Sequence, residues 1–257
     1  DHLDTGLHTT TPDAPNLQRY LAQMVTDGTE VCLLEVTSHG LAHHRVTACE
    51  FDIAIVTNIT HEHLNEHGSL EKYRAAKAML FESLATAAGK GRPKVAVLNC
   101  DDWSFAYLKE KLDARGTKWL GYSLNDHPEA DVMATNIYYR PDKTQFTIQT
   151  NNLAFDVESN LVGDYNVSNC LAAATAGLEI LQLPPQAVQQ GVPALAGIPG
   201  RMERIDEGQS FLTLVDFAHT PNSLRRSLAV AQTLTTGRVI AVFGCAGLRD
   251  VAKRTMM

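Results

Sequence analysis

Three residues with side chains suited to binding a divalent cation lie on or after elements of a predicted parallel sheet. Glu35 ends one apolar, strand-like run, His63 follows the next run, and Lys77 lies on the helical segment after it. In open α/β sheets the ligand crevice lies at the carboxyl ends of the strands. We therefore expect Glu35, His63 and Lys77 to converge at one edge of the sheet. Taken singly, Glu35 is more often a solvated strand-end carboxylate, and one histidine near a strand end is more often structural.

Lys77 departs most clearly from an ordinary pattern, because it occupies a position on the apolar stripe of its helix. A lysine there is costly unless it is paired, neutralised or extended to the rim. Burial lowers the pKa of a lysine and frees the amine to react. Carbon dioxide can then convert the amine into a carbamate, whose oxygens suit Mg²⁺. The alternative is that Lys77 extends along the helix to solvent. The stripe comprises Leu70, Tyr73, Leu80, Phe81 and Leu84.

The elements that would position these residues alternate between helix and strand, which is typical of an α/β fold. Helices are predicted near 15–27, 69–88, 103–114, 166–181 and 222–234, with a short one after Pro185, and strands near 31–36, 52–59, 94–99, 119–122, 211–217 and 239–243. Residues 131–161 hold three runs without a helix between them, and one alternates with period two, which predicts a small antiparallel sheet. We expect a mostly parallel central sheet flanked by helices with this antiparallel side sheet, then the start of a Rossmann-like domain.

Composition excludes several classes of protein. The 257 residues carry a formal charge of −7, whereas nucleic-acid binding needs a dense basic surface. No apolar run approaches the roughly 20 residues that span a bilayer, and Asp1–Asp4 resembles no signal peptide. The odd number of cysteines, without a CxxC pair, predicts reduced core residues of a cytoplasmic protein. They are Cys32, Cys49, Cys100, Cys170 and Cys245.

Six blocks of sequence, in order, resemble motifs of the Mur ligase family and cover nearly the whole chain. They are EVTSHGLAHHR (35–45), TNITHEHLNEHG (57–68), AAKAMLF (75–81), GDYNVSN (163–169), GRME (200–203) and DFAHTP (216–221). The first three resemble most the family member that extends UDP-N-acetylmuramoyl-L-alanyl-D-glutamate.

This resemblance implies an ATP-dependent, ADP-forming amide ligase of peptidoglycan precursor synthesis, a cytoplasmic enzyme of cell-wall biogenesis. It would activate the free carboxylate of the UDP-MurNAc-dipeptide as an acyl phosphate and join it to meso-diaminopimelate or L-lysine. ATP and two Mg²⁺ ions would be required. We expect no nucleic-acid partner and no insertion into a membrane.

The resemblance also implies a role for individual residues. Glu35, His63 and carbamylated Lys77 would be the catalytic and magnesium-binding residues. Thr10, Thr11, Thr37, His43 and Arg45 would hold the UDP-muramoyl-dipeptide, although Arg45 could also be a solvated surface charge. Asn166, Asn169, Arg201 and Asp216 would contact ATP.

The chain departs from the family pattern at several positions. Thr37 stands where the family has serine and keeps a hydroxyl, whereas His43 replaces glutamine and puts a substrate contact there in doubt. Glu62 and Asn65 replace two aspartates. The phosphate loop, G-x-x-G-K-[ST], is expected before Thr10 and does not occur.

The missing loop shapes the expected domain organisation. We expect residues 1–198 to be a central ATPase domain without its phosphate loop, 199–257 to begin a C-terminal domain, and the chain alone to be inactive. The alternatives are a related ligase, such as a cyanophycin or folylpolyglutamate synthetase, and a non-catalytic module that binds nucleotide or a partner.

Overall fold

The computed structural model describes residues 10–59, 68–140, 142–245 and 253–257. The helices of these ranges are α1 (Ala14–Thr26), α2 (Ser38–Ala42), α3 (Leu70–Ser83), α4 (Phe105–Asp113), α5 (Asp164–Thr175, extended by the π-helical turn Ala176–Ile180), α6 (Pro185–Ala194), α7 (Pro221–Thr233) and α8 (Lys253–Met256). The strands are β1 (Ile53–Ile55), β2 (Val95–Asn99), β3 (Lys118–Ser123), β4 (Val132–Tyr139), β5 (Thr144–Thr150), β6 (Ala154–Ser159), β7 (Glu203–Ile205) and β8 (Thr213–Val215).

Six strands form one sheet in the order β1-β2-β3-β4-β5-β6, and β7 pairs with β8 in a separate antiparallel sheet. Strand β3 is parallel to β4, while β4–β5 and β5–β6 are antiparallel. The α/β fold class is therefore confirmed. The antiparallel strands continue the larger sheet through β4.

Local sequence explains where the main helices begin. Asp13 caps α1 by accepting from the Asn16 amide at 3.0 Å, and Ser69 caps α3 by accepting from the Lys72 amide at 3.2 Å. A side-chain oxygen at this position satisfies an amide that has no partner within the helix. Thr220 caps α7 and exchanges hydrogen bonds with Ser223.

The described residues divide into two compact units. The first is drawn from Asp1–Ala54, Ile59–Ala96 and Ala106–Trp119, and it carries α1, α2, α3 and α4 from Ala106 onward. Part of its core is formed by Leu17, Leu41 and Val46. The second unit is drawn from Ile55–Asn58, Val97–Phe105 and Leu120–Met257, and its most deeply buried side chains include Tyr122, Phe146, Ile148 and Leu171.

Two predicted strands are not observed. Residues 31–36 and 239–243 have no strand assignment, and the exposed fractions of Val31, Leu33 and Val242 are 56%, 91% and 96%. A parallel strand needs hydrogen-bonding neighbours that lie far away in the sequence. Among the described residues no neighbouring strand pairs with either run, so neither becomes part of a ladder. In place of the predicted βαβ unit, the chain forms the β7–β8 hairpin followed by α7.

The five cysteines are free. Burial raises the pKa of the Cys100 thiol to about 12. Cys32, in contrast, is exposed, so its assignment to the core was wrong. Among the described residues, no helix is both long and apolar enough to cross a bilayer.

Candidate functional site

Thr11 is the centre of a hydrogen-bonded cluster that joins the residues before α1 to those around α2. Its hydroxyl donates to the carbonyl oxygen of Glu35 at 3.0 Å and accepts from the amide of Thr37 at 2.9 Å. The Thr37 hydroxyl lies 3.2 Å away and also caps α2, accepting from the Gly40 amide at 3.0 Å. The cluster therefore fixes the backbone on which Glu35 and α2 depend.

The Thr11 side chain is 1% exposed, so its hydroxyl is turned into the protein. A Cβ on Gly40 would lie 3.0 Å from the Thr11 side chain, which shows how closely the two segments approach. Thr10, in contrast, is exposed. This geometry favours a supporting role for Thr11 and leaves Thr10 and Thr37 as the residues nearer to solvent.

Arg45 is held by the same cluster. It is half-buried, and its guanidinium donates to the Thr11 carbonyl oxygen at 2.8 Å. One hydrogen bond of this kind fixes the planar group and leaves further N–H donors that match the geometry of a carboxylate or phosphate. The guanidinium of Arg45 is therefore held in place by a hydrogen bond to the protein, which the alternative of a solvated surface charge does not require.

His43 follows directly after α2 and is exposed. Its ring lies 4.1 Å from the ring of His39, measured between centroids. The sequence predicted His43 as a residue of the substrate site, and the structure places it two residues from Arg45.

The residues predicted to bind magnesium are described in part. Glu35 is exposed, and its carboxylate oxygens are the hard ligands that Mg²⁺ prefers. Lys77 is half-buried, and its Nζ lies 5.4 Å from the centroid of the Tyr73 ring, a distance typical of a cation–π contact. His63 lies outside the described residues.

These residues fit a magnesium ion only in part. In the part of the chain that the structure describes, no three His, Cys, Asp or Glu side chains are grouped so as to hold a metal ion. An unmodified lysine ammonium has no lone pair to offer a cation. A site built on Glu35 and Lys77 therefore requires the carbamate and the contribution of His63.

The residues predicted to bind nucleotide lie in the second unit. Asn166 is buried in the first turn of α5, where its side-chain amide donates to the Val162 carbonyl oxygen at 2.9 Å. Asn169, three residues later on the same helix, is exposed. Asn166 therefore stabilises the start of α5, while Asn169 is available to a ligand.

Asp216 fastens the segment before β7 to helix α7. Its carboxylate accepts from the amides of Met202 at 2.8 Å and Ala218 at 2.7 Å, and from the Ser227 hydroxyl at 3.1 Å. The exposed guanidinium of Arg201 lies 5.0 Å from the centroid of the Phe217 ring. Arg201 and Asp216 thus lie on connected segments, with Arg201 the more accessible of the two.

Tyr165 is a further candidate site residue that the sequence did not single out, although it lies in the GDYN block beside Asn166. Burial raises its pKa, and the charges of Asp216 and Asp164 raise it further. Its buried hydroxyl has no hydrogen-bond partner among the described residues. A buried hydroxyl without a partner costs about 1–3 kcal/mol. Such an unpaired donor beside the predicted nucleotide residues fits a site that a polar ligand completes.

Two family models match the chain. A model described as the Mur ligase middle domain matches residues 3–177, and one described as the Mur ligase, glutamate ligase domain matches residues 200–257. This chain belongs to the Mur ligase family.

Relatives of this Mur ligase chain are similar over nearly its whole length. It is 40% identical over 248 residues to UDP-N-acetylmuramoyl-L-alanyl-D-glutamate--2,6-diaminopimelate ligase of Bacillus licheniformis, a match that covers 96% of this chain and 50% of that protein. It is 42% identical over 255 residues to the protein of the same name from Nostoc sp., covering 98% and 49%. A solved structure with that name superposes with a TM-score of 0.75 at 36% identity, covering 96% of this chain and 49% of that one.

The Mur ligase chain thus spans about half the length of the curated relatives that it matches. Members of the family are ATP-dependent ligases that need Mg²⁺. The roles of the individual site residues, and the domain boundary at residue 198, stay predictions.

Proposed function

We propose that the protein to which this chain belongs ligates meso-diaminopimelate to UDP-N-acetylmuramoyl-L-alanyl-D-glutamate, with ATP converted to ADP. The observation that carries the proposal is the identity of 40% across 96% of this chain to a ligase named for that reaction. The sequence alone left L-lysine as an equal alternative, and the names of the relatives favour diaminopimelate. The names of the relatives also favour this ligase reaction over those of cyanophycin and folylpolyglutamate synthetases.

In the proposed reaction, the free carboxylate of the dipeptide attacks the γ-phosphorus of ATP and forms an acyl phosphate and ADP. The amine of the incoming amino acid then attacks the acyl carbon, phosphate leaves and an amide forms. Arg45 would bind an anionic group of the muramoyl-dipeptide, because its guanidinium is already fixed to the Thr11 carbonyl. Thr10, Thr37 and His43 would add polar contacts around it.

Bound Mg²⁺ would neutralise the phosphates and the charge that develops on them. Glu35 would supply carboxylate oxygens from the backbone that Thr11 holds. Lys77 would supply carbamate oxygens after its amine leaves the Tyr73 ring, and His63 would supply an imidazole. We propose that two Mg²⁺ ions are bound, as the family resemblance implies.

ATP would contact the second unit. Asn169 and Arg201 are exposed and can contact a ligand, whereas Asn166 and Asp216 would act through the segments that their hydrogen bonds hold in place.

We assign residues 1–198 to the central domain and 199–257 to the beginning of the C-terminal domain. We also propose that the protein has no nucleic-acid partner, because the net charge of −7 opposes binding to a polyanion. We propose a cytoplasmic location from the family resemblance.

The metal role of Lys77 is tested by Lys77→Ala in the full-length enzyme. Activity should fall by about a hundredfold or more, because a ligand of the magnesium site is lost. Small carboxylic acids added to the buffer should restore part of the activity by replacing the carbamate oxygens. Lys72→Ala is the matched control, since Lys72 is an exposed lysine on the same helix. Full activity of Lys77→Ala would remove Lys77 from the magnesium site.

The choice of amino acid is tested by measuring kcat/KM of the full-length enzyme with meso-diaminopimelate and with L-lysine. We expect the value for meso-diaminopimelate to be higher by about tenfold or more, because sites that pair with a polar group reject ligands that lack it. A higher value for L-lysine would refute the proposed substrate without affecting the assignment to the ligase family.

A further inference from the structure

His39 and His43 form a pair of imidazoles that the proposed ligase reaction does not use as a pair. They are four residues apart along α2 and its C-terminal cap, and their ring centroids are 4.1 Å apart with the planes tilted by 46°. Histidines four residues apart on a helical turn face the same side, as in helices that present two histidines to one zinc ion.

The backbone under this pair is fixed by several hydrogen bonds. The amide of His43 donates to the carbonyl oxygen of His39 at 2.9 Å, so the two residues are joined directly by the helical turn. The turn is capped at its start by Thr37, and Leu41 between the two histidines belongs to the buried core. The rings therefore project from a rigid support, and little conformational entropy remains to be lost when they bind the same ion.

The geometry suits coordination of one ion by both rings. A metal–nitrogen distance of about 2.0–2.1 Å and a tetrahedral angle place two ligating nitrogens about 3.3 Å apart. Rings whose centroids are 4.1 Å apart can present nitrogens at that separation. His43 is exposed and His39 is half-buried, so an ion can reach the pair from solvent.

We propose that His39 and His43 bind one divalent transition-metal ion of the Zn²⁺ class. Imidazole suits Zn²⁺, Ni²⁺ and Cu²⁺, whereas Mg²⁺ prefers oxygen ligands, so this site is chemically distinct from the proposed magnesium site. No third His, Cys, Asp or Glu side chain is grouped with the pair among the residues that the structure describes.

The test is a titration of the folded 257-residue chain with Zn²⁺, followed by calorimetry in a large excess of Mg²⁺. Two variants are compared with the unchanged chain. His43→Gln removes half of the pair, and His44→Asn removes a neighbouring exposed imidazole outside it. Asparagine is chosen because His44 has a φ of +56°, a conformation that asparagine tolerates.

His43→Gln should lose one equivalent of bound Zn²⁺ or weaken its binding by about tenfold or more, since one of two protein ligands is removed. His44→Asn should bind as the unchanged chain does. His39→Gln should repeat the effect of His43→Gln, and circular dichroism checks that each variant is folded. Unchanged binding by His43→Gln, an equal loss with His44→Asn, or displacement of the Zn²⁺ by Mg²⁺ would each overturn the proposal.

Discussion

The strands β4–β6 and the apolar runs 31–36 and 239–243 were all predicted to be strands, and only the first group forms a sheet. The two runs are the more apolar, yet β4, β5 and β6 form ladders while the runs carry exposed apolar side chains. Each antiparallel strand finds its partner after a short turn. A parallel strand must find its partner far along the chain. Apolar composition therefore predicts a strand reliably only where the neighbouring strand is also accounted for.

Hydrogen exchange gives the largest expected contrast. Amides of residues 31–36 and 239–243 lie outside any ladder of the described residues, whereas β5 is paired on both sides. In the 257-residue chain the amides of β5 should exchange more slowly by roughly three orders of magnitude or more. The measurement is amide exchange followed by mass spectrometry. Protection of either run equal to that of β5 would mean that the two regions do not differ as described.

Substituting one phenylalanine in each region gives the next largest effect. Phe146 on β5 is 2% exposed and Phe211 before β8 is 69% exposed. Phe146→Ala should lower the free energy of unfolding by about 3–5 kcal/mol, because it leaves a cavity in the core. Phe211→Ala should change it by no more than about 0.5 kcal/mol. Urea denaturation measures both, and similar losses for the two variants would contradict the comparison.

The sequence predicts most of the fold, and its errors share one cause. The helices at α1, α3 and α7 follow from caps and apolar periodicity, and the period-two pattern of residues 144–150 matches the alternating burial of β5. The two wrong strands were read from apolar content alone. The irregularity in β4 between Thr135 and Tyr138, where Asn136 has a φ of +51°, has no sequence pattern that would predict it.

For the candidate site, the sequence placed Thr11, Thr37 and Arg45 in one group, and the structure brings them together. It could not show that the Thr11 hydroxyl is used within the protein, since its partners Glu35 and Thr37 lie 24 and 26 residues away. Contacts of that kind depend on the folded path of the chain. The convergence of Glu35, Lys77 and His63 stays a prediction.

The buried hydroxyl of Tyr122 allows one long-range hydrogen bond in the larger sheet to be tested. The Tyr122 hydroxyl on β3 donates to the Val56 carbonyl oxygen at 2.9 Å, a contact 66 residues apart in sequence. Tyr122→Phe should lower the free energy of unfolding by about 1–1.5 kcal/mol, because a buried hydrogen bond is lost. Tyr138→Phe on β4 is the control, because the side chain of Tyr138 is exposed. Equal stabilities of the two variants would show that this long-range contact contributes nothing.

The smallest expected change in stability comes from the ion pairs of Asp52 with Lys90 and Lys94, close to the start of β1 and β2. Asp52, just before β1, lies 2.9 Å from Nζ of both Lys90 and Lys94. Partial burial of Asp52 opposes ionisation, but the hydrogen bonds and charges of the two lysines outweigh it and lower the pKa of its carboxyl group. A carboxyl group with a lowered pKa in the folded state stabilises the fold above its unfolded pKa, near 3.9, and this contribution is lost as the pH falls below it.

Asp52→Asn should therefore reduce the stability of the 257-residue chain at neutral pH by no more than about 1 kcal/mol, the range measured for solvated ion pairs. The difference from the unchanged chain should shrink as the pH falls through the ordinary carboxyl range, because the aspartate is then protonated as well. The control is Asp142→Asn, an exposed aspartate between β4 and β5. Thermal unfolding at neutral and at acidic pH measures both variants. A difference for Asp52→Asn that grows on acidification would have the wrong sign, and it would show that Asp52 does not act through its ionised form at the start of β1.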